Sequence, residues 1–280
     1  MSPLPELLLD VASTRACLCD FIRQGVARAG RRRAVLGLSG GIDSALVCYL
    51  AAEALGPENV LAVTMPYATS SPASLADALA VAEATGVQRQ HLEITPIVEP
   101  LFAAFPDMDR RRKGNAMART RMIVLFDRSE AFGGLVLGTG NKTELLLGYS
   151  TLYGDSACAL APIGDLYKTQ VRQLAAALGV PRSILAKPPT ADLWPDQTDE
   201  GDLGLTYDEA DAILYLLFDA GLSPAQVRAR GYDERSIARV CDLVQRNLFK
   251  RRLPAVAKVS ACTVGMEIGA ETVPTHWLED

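Results

Sequence analysis

The chain predicts an α/β protein built on a doubly wound parallel sheet with helices on both faces. Three observations carry that prediction. Short apolar runs suited to buried strands, at 34–38 and 60–65, and a third stretch able to form a strand, at 89–94, alternate with helix-length stretches at 43–55 and 71–86. Glycines stand directly after two apolar runs, Gly40-Gly41 after the first and Gly138 and Gly140 after 135–137, where such folds place their ligands. The length of 280 residues, with 49% apolar and 22% charged residues, is enough to bury a substantial core.

Taken in order, residues 4–29 read as an opening helix, with Leu7, Leu8, Val11, Leu18, Phe21, Ile22 and Val26 at helical spacing and Gly30 as its stop. Arg31-Arg32-Arg33 reads as a solvated basic run before the first strand. The helix at 43–55 is stopped by Gly56-Pro57. The next begins at Ser70-Ser71-Pro72, a cap followed by proline in the first turn, and ends at Gly86. Residues 95–113 carry Pro96, Pro100 and Pro106 and read as irregular. A helix is expected at 114–131, a strand at 135–137 and a helix at 168–178 closed by Gly179 and Pro181. Residues 187–206, rich in Pro, Asp and Gly, read as one long loop, of a kind that is often functional or disordered. Residues 207–249 read as helical and 250–280 as a mixed tail. The expectation is a single domain over 1–280, with 1–33 as a helical lead-in and 105–115 and 192–206 free to move when the site is empty.

Composition removes several classes. A net charge of −5 argues against a general nucleic-acid binder. No apolar run reaches the roughly 18 residues of a membrane helix. The start, Met1-Ser2-Pro3-Leu4-Pro5-Glu6, lacks the basic opening of a secretory signal, so a cytoplasmic protein is expected. The six cysteines form no C-x-x-C and only two histidines are present, which argues against a zinc or iron–sulfur site.

The chemistry centres on Ser39-Gly40-Gly41-Ile42-Asp43-Ser44. Two glycines without Cβ let the backbone turn and let a ligand approach it. The free N–H groups and dipole of the following helix favour phosphate. The loop is not a Walker phosphate loop, which needs a lysine, because no Lys occurs between residues 1 and 112. Two hydroxyls can hold phosphate, and Asp43 can hold a Mg²⁺ that neutralises it. The hexapeptide resembles the S-G-G-x-D-S loop of the ATP pyrophosphatases, a group that splits ATP between its α and β phosphates and adenylates a substrate.

Other segments add groups of matching chemistry. Six cations lie between 110 and 121, ending in Arg119 and Arg121 on Asn115-Ala116-Met117-Ala118-Arg119-Thr120-Arg121-Met122. Residues i and i+2 diverge on a helix, so these two arginines cannot serve one site together. Gly138-Thr139-Gly140-Asn141-Lys142-Thr143-Glu144 offers a hydroxyl and a second carboxylate. Tyr153-Gly154-Asp155 is a polar loop ending in an acid. Pro162-Ile163-Gly164-Asp165-Leu166-Tyr167-Lys168-Thr169 sets Lys168 at a helix start, where the dipole repels it, so an anion is needed, and phosphate is expected to supply it. The acids Asp196, Asp199, Glu200 and Asp202 read as solvated loop.

These segments, with Pro189-Thr190-Ala191-Asp192-Leu193-Trp194 and Gln197-Thr198-Asp199-Glu200, follow one another in an order that resembles NAD synthetase from about residue 34 to 254. The resemblance implies a Rossmann-like sheet of the adenine nucleotide alpha hydrolase kind. It implies adenylation of the nicotinate carboxylate of deamido-NAD by ATP, release of pyrophosphate, and displacement of AMP by ammonia to give NAD. By the same resemblance, Gly37, Leu38, Ser39, Gly40, Gly41, Ile42, Asp43 and Ser44 hold ATP phosphates, and Thr139, Lys168 and Thr190 contact ATP or pyrophosphate. Asp43 and Glu144 bind Mg²⁺, Arg119 and Lys250 contact deamido-NAD, and Asp155 binds or deprotonates ammonium. Asp43, Asp155 and Lys168 are the catalytic candidates. Leu152 and Ala159 depart from the best-known bacterial form, which has a lysine and an acid there on the deamido-NAD side.

The resemblance also implies a homodimer, to which the apolar stretch 122–126 can contribute. Only about 33 residues precede the first strand, so no glutaminase domain is expected, and ammonia is expected to be used free or from a separate partner. The alternatives are another ATP pyrophosphatase, GMP-forming or tRNA-thiolating, or a non-catalytic nucleotide-binding module.

Overall fold

The computed structural model describes residues 4–264 apart from 191, 193, 195, 196 and 253. Most of the tail, and Ala191, Leu193 and Asp196 of the long loop, lie outside the described residues.

Helix α1 (Val11–Arg28) is capped by Asp10, whose side chain accepts from the Ser13 N–H, and leads into strand β1 (Arg33–Gly37). Helix α2 (Ile42–Leu55), strand β2 (Val60–Thr64), helix α3 (Pro72–Thr85) and strand β3 (Gln88–His91) follow. All strand pairings are parallel, and with β4 (Gly134–Leu137) the sheet order is β3-β2-β1-β4. The chain therefore builds outward from β1 to β3 on one side, then returns to place β4 on the other. The order reverses between β1 and β4, and the crevice outside their carboxyl ends is where such sheets bind ligands.

Residues alternate across the central strand. Ala34 and Leu36 face a core formed with α1, α2, α3 and helix α7 (Lys168–Ala177). Val35 faces the opposite core, with Leu61, Val63, Ile94, Val98, Phe102, Met117 and Val124. A third cluster lies beyond the sheet and joins Leu7, Leu147, Tyr167, Tyr207, Leu214, Ile237 and Val240. It gathers α6 (Lys142–Leu147), α10 (Tyr207–Leu214), α11 (Pro224–Ala229) and α12 (Glu234–Arg246).

The structure corrects several local expectations. The segment 95–113 is not irregular: Thr95–Ala104 forms helix α4, with Pro96 in its first turn and Pro100 inside it. Ile94, Val98 and Phe102 recur four apart and are buried, and that packing outweighs the one hydrogen bond Pro100 cannot donate. Helix α5 spans Arg110–Phe132 and so begins four residues earlier than expected. Its basic first turn opposes the dipole, but Asp109 caps it by accepting from Arg112 N–H at 2.7 Å, and Asp107 pairs with Arg112 at 2.9 Å. The long loop contains a short helix, α9 (Asp199–Leu203), capped by Thr198, and it is preceded by helix α8 (Arg182–Leu185). Residues 207–249 are not one helix. A π segment, Tyr215–Asp219, follows α10, and α11 starts at a Ser223 cap with Pro224 in its first turn.

Candidate active site

The loop after β1 is shaped by its own hydroxyls. Ser44 Oγ accepts from Ser39 N–H at 3.2 Å and donates to the Gly41 carbonyl at 2.9 Å. Ser39 Oγ accepts from Gly41 N–H at 3.2 Å. Gly40 sits at φ +80°, and a Cβ there would fall 2.0 Å from the Ser74 carbonyl oxygen. Only glycine allows both that conformation and that approach to α3. The loop then runs straight into α2, with Gly41 as its N-cap and Asp43 in the first turn.

Asp43 meets groups from the far side of the sheet switch. Asn141, after β4, donates to Asp43 Oδ1 at 2.9 Å. Lys168 Nζ lies 2.5 Å from Asp43 Oδ2 and 3.3 Å from Glu144 Oε1. The lysine is only 2% exposed and its ammonium also lies 4.9 Å from the Tyr207 ring centroid. Lys168 opens α7, so the anions its position demands are these two carboxylates. Burial opposes its charge more than any other single influence, yet the surrounding carboxylates, Asp43 and Glu144 first and then Asp199, raise its pKa above the ordinary lysine range.

Glu144 is the less satisfied partner. Burial pushes its carboxyl well up, Lys168 pulls it down and Asp43 pushes it up again. The distances give the physical reading: the ammonium pairs first with Asp43, which leaves Glu144 short of positive charge. Glu144 is placed by a capping box, in which Asn141 accepts from its N–H at 3.0 Å and its carboxylate accepts from Asn141 N–H at 3.3 Å. Two carboxylates turned toward one buried cation, with spare negative charge, form a donor set that fits a hard divalent ion completed by phosphate oxygens.

A cavity of about 180 Å³ opens over this cluster. Of the residues singled out in the sequence, Ser39, Gly41, Ile42, Asp43, Ser44, Thr139, Glu144, Asp155, Lys168 and Thr190 line it. Gly37 and Leu38 lie beneath it in and just after β1, where Leu38 is buried and its N–H bonds Val63 O at 2.9 Å. Asp155 opens onto the cavity, accepts from Thr151 N–H at 2.8 Å, and has its carboxyl raised by the surrounding protein.

Arg119 and Lys250 stand apart from that lining and grip the loop leading to Asp155. Arg119 Nε donates to Leu152 O at 3.3 Å, while Lys250 Nζ donates to Gly148 O and Ser150 O, each at 2.7 Å. Arg121 diverges from Arg119 as its spacing requires and donates to Met65 O at 3.0 Å. The far wall comes from the segment after α8. Lys187 contacts Ser74 Oγ at 2.9 Å and Asp77 at 3.2 Å, and Asp192 accepts from Ser71 N–H at 3.1 Å. Arg110 lies 5.4 Å from the ring centroid of Trp194, which joins the start of α5 to that segment.

One expectation about the long loop fails at Asp199. It is not solvated: it is 5% exposed, lines the cavity, and accepts from Tyr149 OH at 3.2 Å and Tyr207 OH at 3.1 Å. Its charge reaches Lys168 and Asp43. The sequence signal available was Thr198 as a cap, which turns the next residue inward on a short helix.

A parallel sheet with a serine–glycine anion loop at its switch point, facing a lysine and paired carboxylates, defines a Rossmann-like α/β nucleotide enzyme. A model of the NAD synthase family matches residues 15–254, and the chain belongs to that family. It is 55% identical over 261 residues to an NH(3)-dependent NAD(+) synthetase of Trichlorobacter lovleyi, covering 93% of this chain and 96% of that one. Among solved structures it resembles the NMN synthetase of Francisella tularensis, with a TM-score of 0.80 and 30% identity over 90% of this chain and all (100%) of that one. It also resembles the NH3-dependent NAD synthetase of Campylobacter jejuni, with a TM-score of 0.77 and 35% identity over the same shares, 90% and 100%.

Proposed function

We propose that the chain amidates deamido-NAD to NAD with ATP and ammonia, releasing AMP and pyrophosphate. The observation that carries this reading is the convergence of the Ser39–Ser44 loop, Asp43, Glu144 and Lys168 on one cleft at the sheet switch. A carboxylate is a poor electrophile, and joining it to the α-phosphate of ATP supplies a leaving group. The nicotinate oxygen attacks the α-phosphorus and pyrophosphate departs. Ammonia then attacks the acyl carbon, loses a proton, and AMP leaves with the bridging oxygen.

In this reading the N-terminus of α2 and the Ser39 and Ser44 hydroxyls hold the β- and γ-phosphates. Lys168 balances the charge that builds on the departing pyrophosphate. Asp43 and Glu144 hold Mg²⁺, which when bound neutralises phosphate charge as a Lewis acid. Thr139 and Thr190 contact ATP. Asp155, a carboxylate whose affinity for a proton is raised by burial, holds ammonium and takes its proton. Arg119 and Lys250 serve the deamido-NAD side, in part by shaping the 148–155 loop. Nothing favours a thiolating or GMP-forming alternative.

Residues 1–280 act as one synthetase domain that takes free ammonia, as the names of the matched relatives state for them. An enzyme that consumes ATP and deamido-NAD works in the cytoplasm, where those nucleotides are. Two copies associate through the apolar faces of α4 and α5.

The test incubates the protein with ATP, Mg²⁺, deamido-NAD and ammonium and resolves the products by chromatography. NAD, AMP and pyrophosphate are expected in equal amounts, with little NAD when glutamine replaces ammonium. AMP without NAD, or an equal rate with glutamine, would overturn the reading.

A further inference from the structure

Asp211 lies on α10 and is fully buried, at 0% exposure. Arg172, whose charge reaches it, is itself paired with Asp208 at 2.9 Å. A buried carboxylate in such a place is sustained by hydrogen bonds. Asp211 Oδ1 accepts from Thr143 Oγ at 2.5 Å, and Oδ2 accepts from Thr169 N–H at 2.7 Å. Thr143 Oγ in turn accepts from Lys168 N–H at 3.0 Å. Thr143 is likewise buried, at 0% exposure.

These bonds close a circuit through the site. Lys168 and Thr169 are the first two residues of α7, and the N-cap position before them is Tyr167 rather than a short polar residue. Asp211, from a different helix, supplies the anion that this terminus lacks, directly to Thr169 and through one hydroxyl to Lys168. Thr143 is adjacent in sequence to Glu144 on α6. One carboxylate thus ties the backbone that carries Lys168 to the backbone that carries Glu144. Beneath the cleft, Lys168 Nζ lies 2.5 Å from Asp43 Oδ2 and 3.3 Å from Glu144 Oε1, so the lysine joins the two carboxylates.

We propose that Asp211, acting through Thr143 and Thr169, is a positioning residue for the amidation: it sets α6 and α7 so that Glu144 and Lys168 converge on Asp43. The proposal rests on the function assigned above. It separates Asp211 from a residue that only holds the helical cluster together, because misplacing the ends of α6 and α7 lowers turnover in enzyme that remains folded.

The experiment compares D211N, T143V, T143S and D211N/T143V with wild type, each corrected for the folded fraction by circular dichroism. Asn keeps the shape of Asp211 and Val that of Thr143, so both variants are expected to fold. We expect kcat to fall about 10- to 100-fold in D211N and in T143V, as misplacement of a charged group does. The KM for deamido-NAD is expected to stay near the wild-type value. The double variant should lose no more than the worse single one, because both changes break one chain of bonds. T143S, which keeps the hydroxyl, should recover most of the turnover lost in T143V. Wild-type kcat per folded D211N, or losses that multiply in the double variant, would overturn the proposal. The rise in Tm on adding ATP and Mg²⁺ gives a readout free of turnover, and it should shrink in D211N. If wild type made no NAD, the functional reading would fail, while an undiminished ATP-dependent shift in D211N would separately reject the positioning role.

Discussion

At the residue scale the site turns on one buried lysine shared by two carboxylates. Removing the cation from such a cluster leaves unpaired buried charge, which costs about 3–5 kcal/mol. Lys168→Met is therefore expected to lower Tm sharply in the absence of divalent ions, and Mg²⁺ should restore part of it by neutralising Asp43 and Glu144. Calorimetry with and without Mg²⁺ checks this, and an equal loss in both conditions would contradict the metal assignment. Asp43→Asn removes one charge but leaves Lys168 its contact with Glu144. It is expected to keep Tm close to wild type while turnover falls at least about 100-fold; near-normal turnover would remove Asp43 from the chemistry. Lys168 was legible in the sequence because a cation at a helix start calls for an anion. Which anions answer it was not, since Asp43 and Lys168 are 125 positions apart. Asp199 was misread for a related reason: its burial comes from Tyr149 and Tyr207, and acids among Pro and Gly look the same whether the loop is solvated or folded inward.

At the element scale, strands and glycine stops were read well and proline-marked segments poorly. The strands at β1, β2 and β4 are short apolar runs with no rival helical period, so their character survives without tertiary information. Helix α4 was hidden by Pro96 and Pro100, although its i, i+4 spacing of Ile94, Val98 and Phe102 was present. Burial of that stripe decides the matter, and burial is non-local. Helices α4 and α5 also turn large apolar side chains outward: Ile97, Leu101 and Phe105 on and just after one, Ile123 at 61% exposure and Phe126 on the other. Large apolar groups exposed together are what a subunit contact covers. The homodimer proposed above uses it, so Phe126→Glu is expected to shift the protein from dimer to monomer in sedimentation at micromolar concentration. A wild-type monomer, or a variant that remains dimeric, would show that this face is not the contact.

At the scale of the whole molecule, the alternation of strands and helices was enough to foresee a parallel sheet, but not which strands would be neighbours. The order β3-β2-β1-β4 puts the reversal beside β1, and this is why the first loop, rather than any other, becomes the floor of the site. The helical cluster of α6, α10, α11 and α12 had no such signature. Its stretch reads as continuous helix until Gly221, Pro224 and Gly231 are seen to divide it. That cluster supplies Tyr207 and Asp211, and α9 supplies Asp199, so the sheet provides the phosphate cradle and the helices provide the surroundings of Lys168.

The most direct test of this account follows oxygen. Deamido-NAD labelled with ¹⁸O in both oxygens of its nicotinate carboxylate is turned over with ATP, Mg²⁺ and ammonium, and the products are weighed by mass spectrometry. An acyl-adenylate formed over the Ser39–Ser44 loop requires one carboxylate oxygen to leave with AMP and the other to remain in the amide of NAD. Unlabelled AMP, or label appearing in inorganic phosphate alongside ADP, would contradict it.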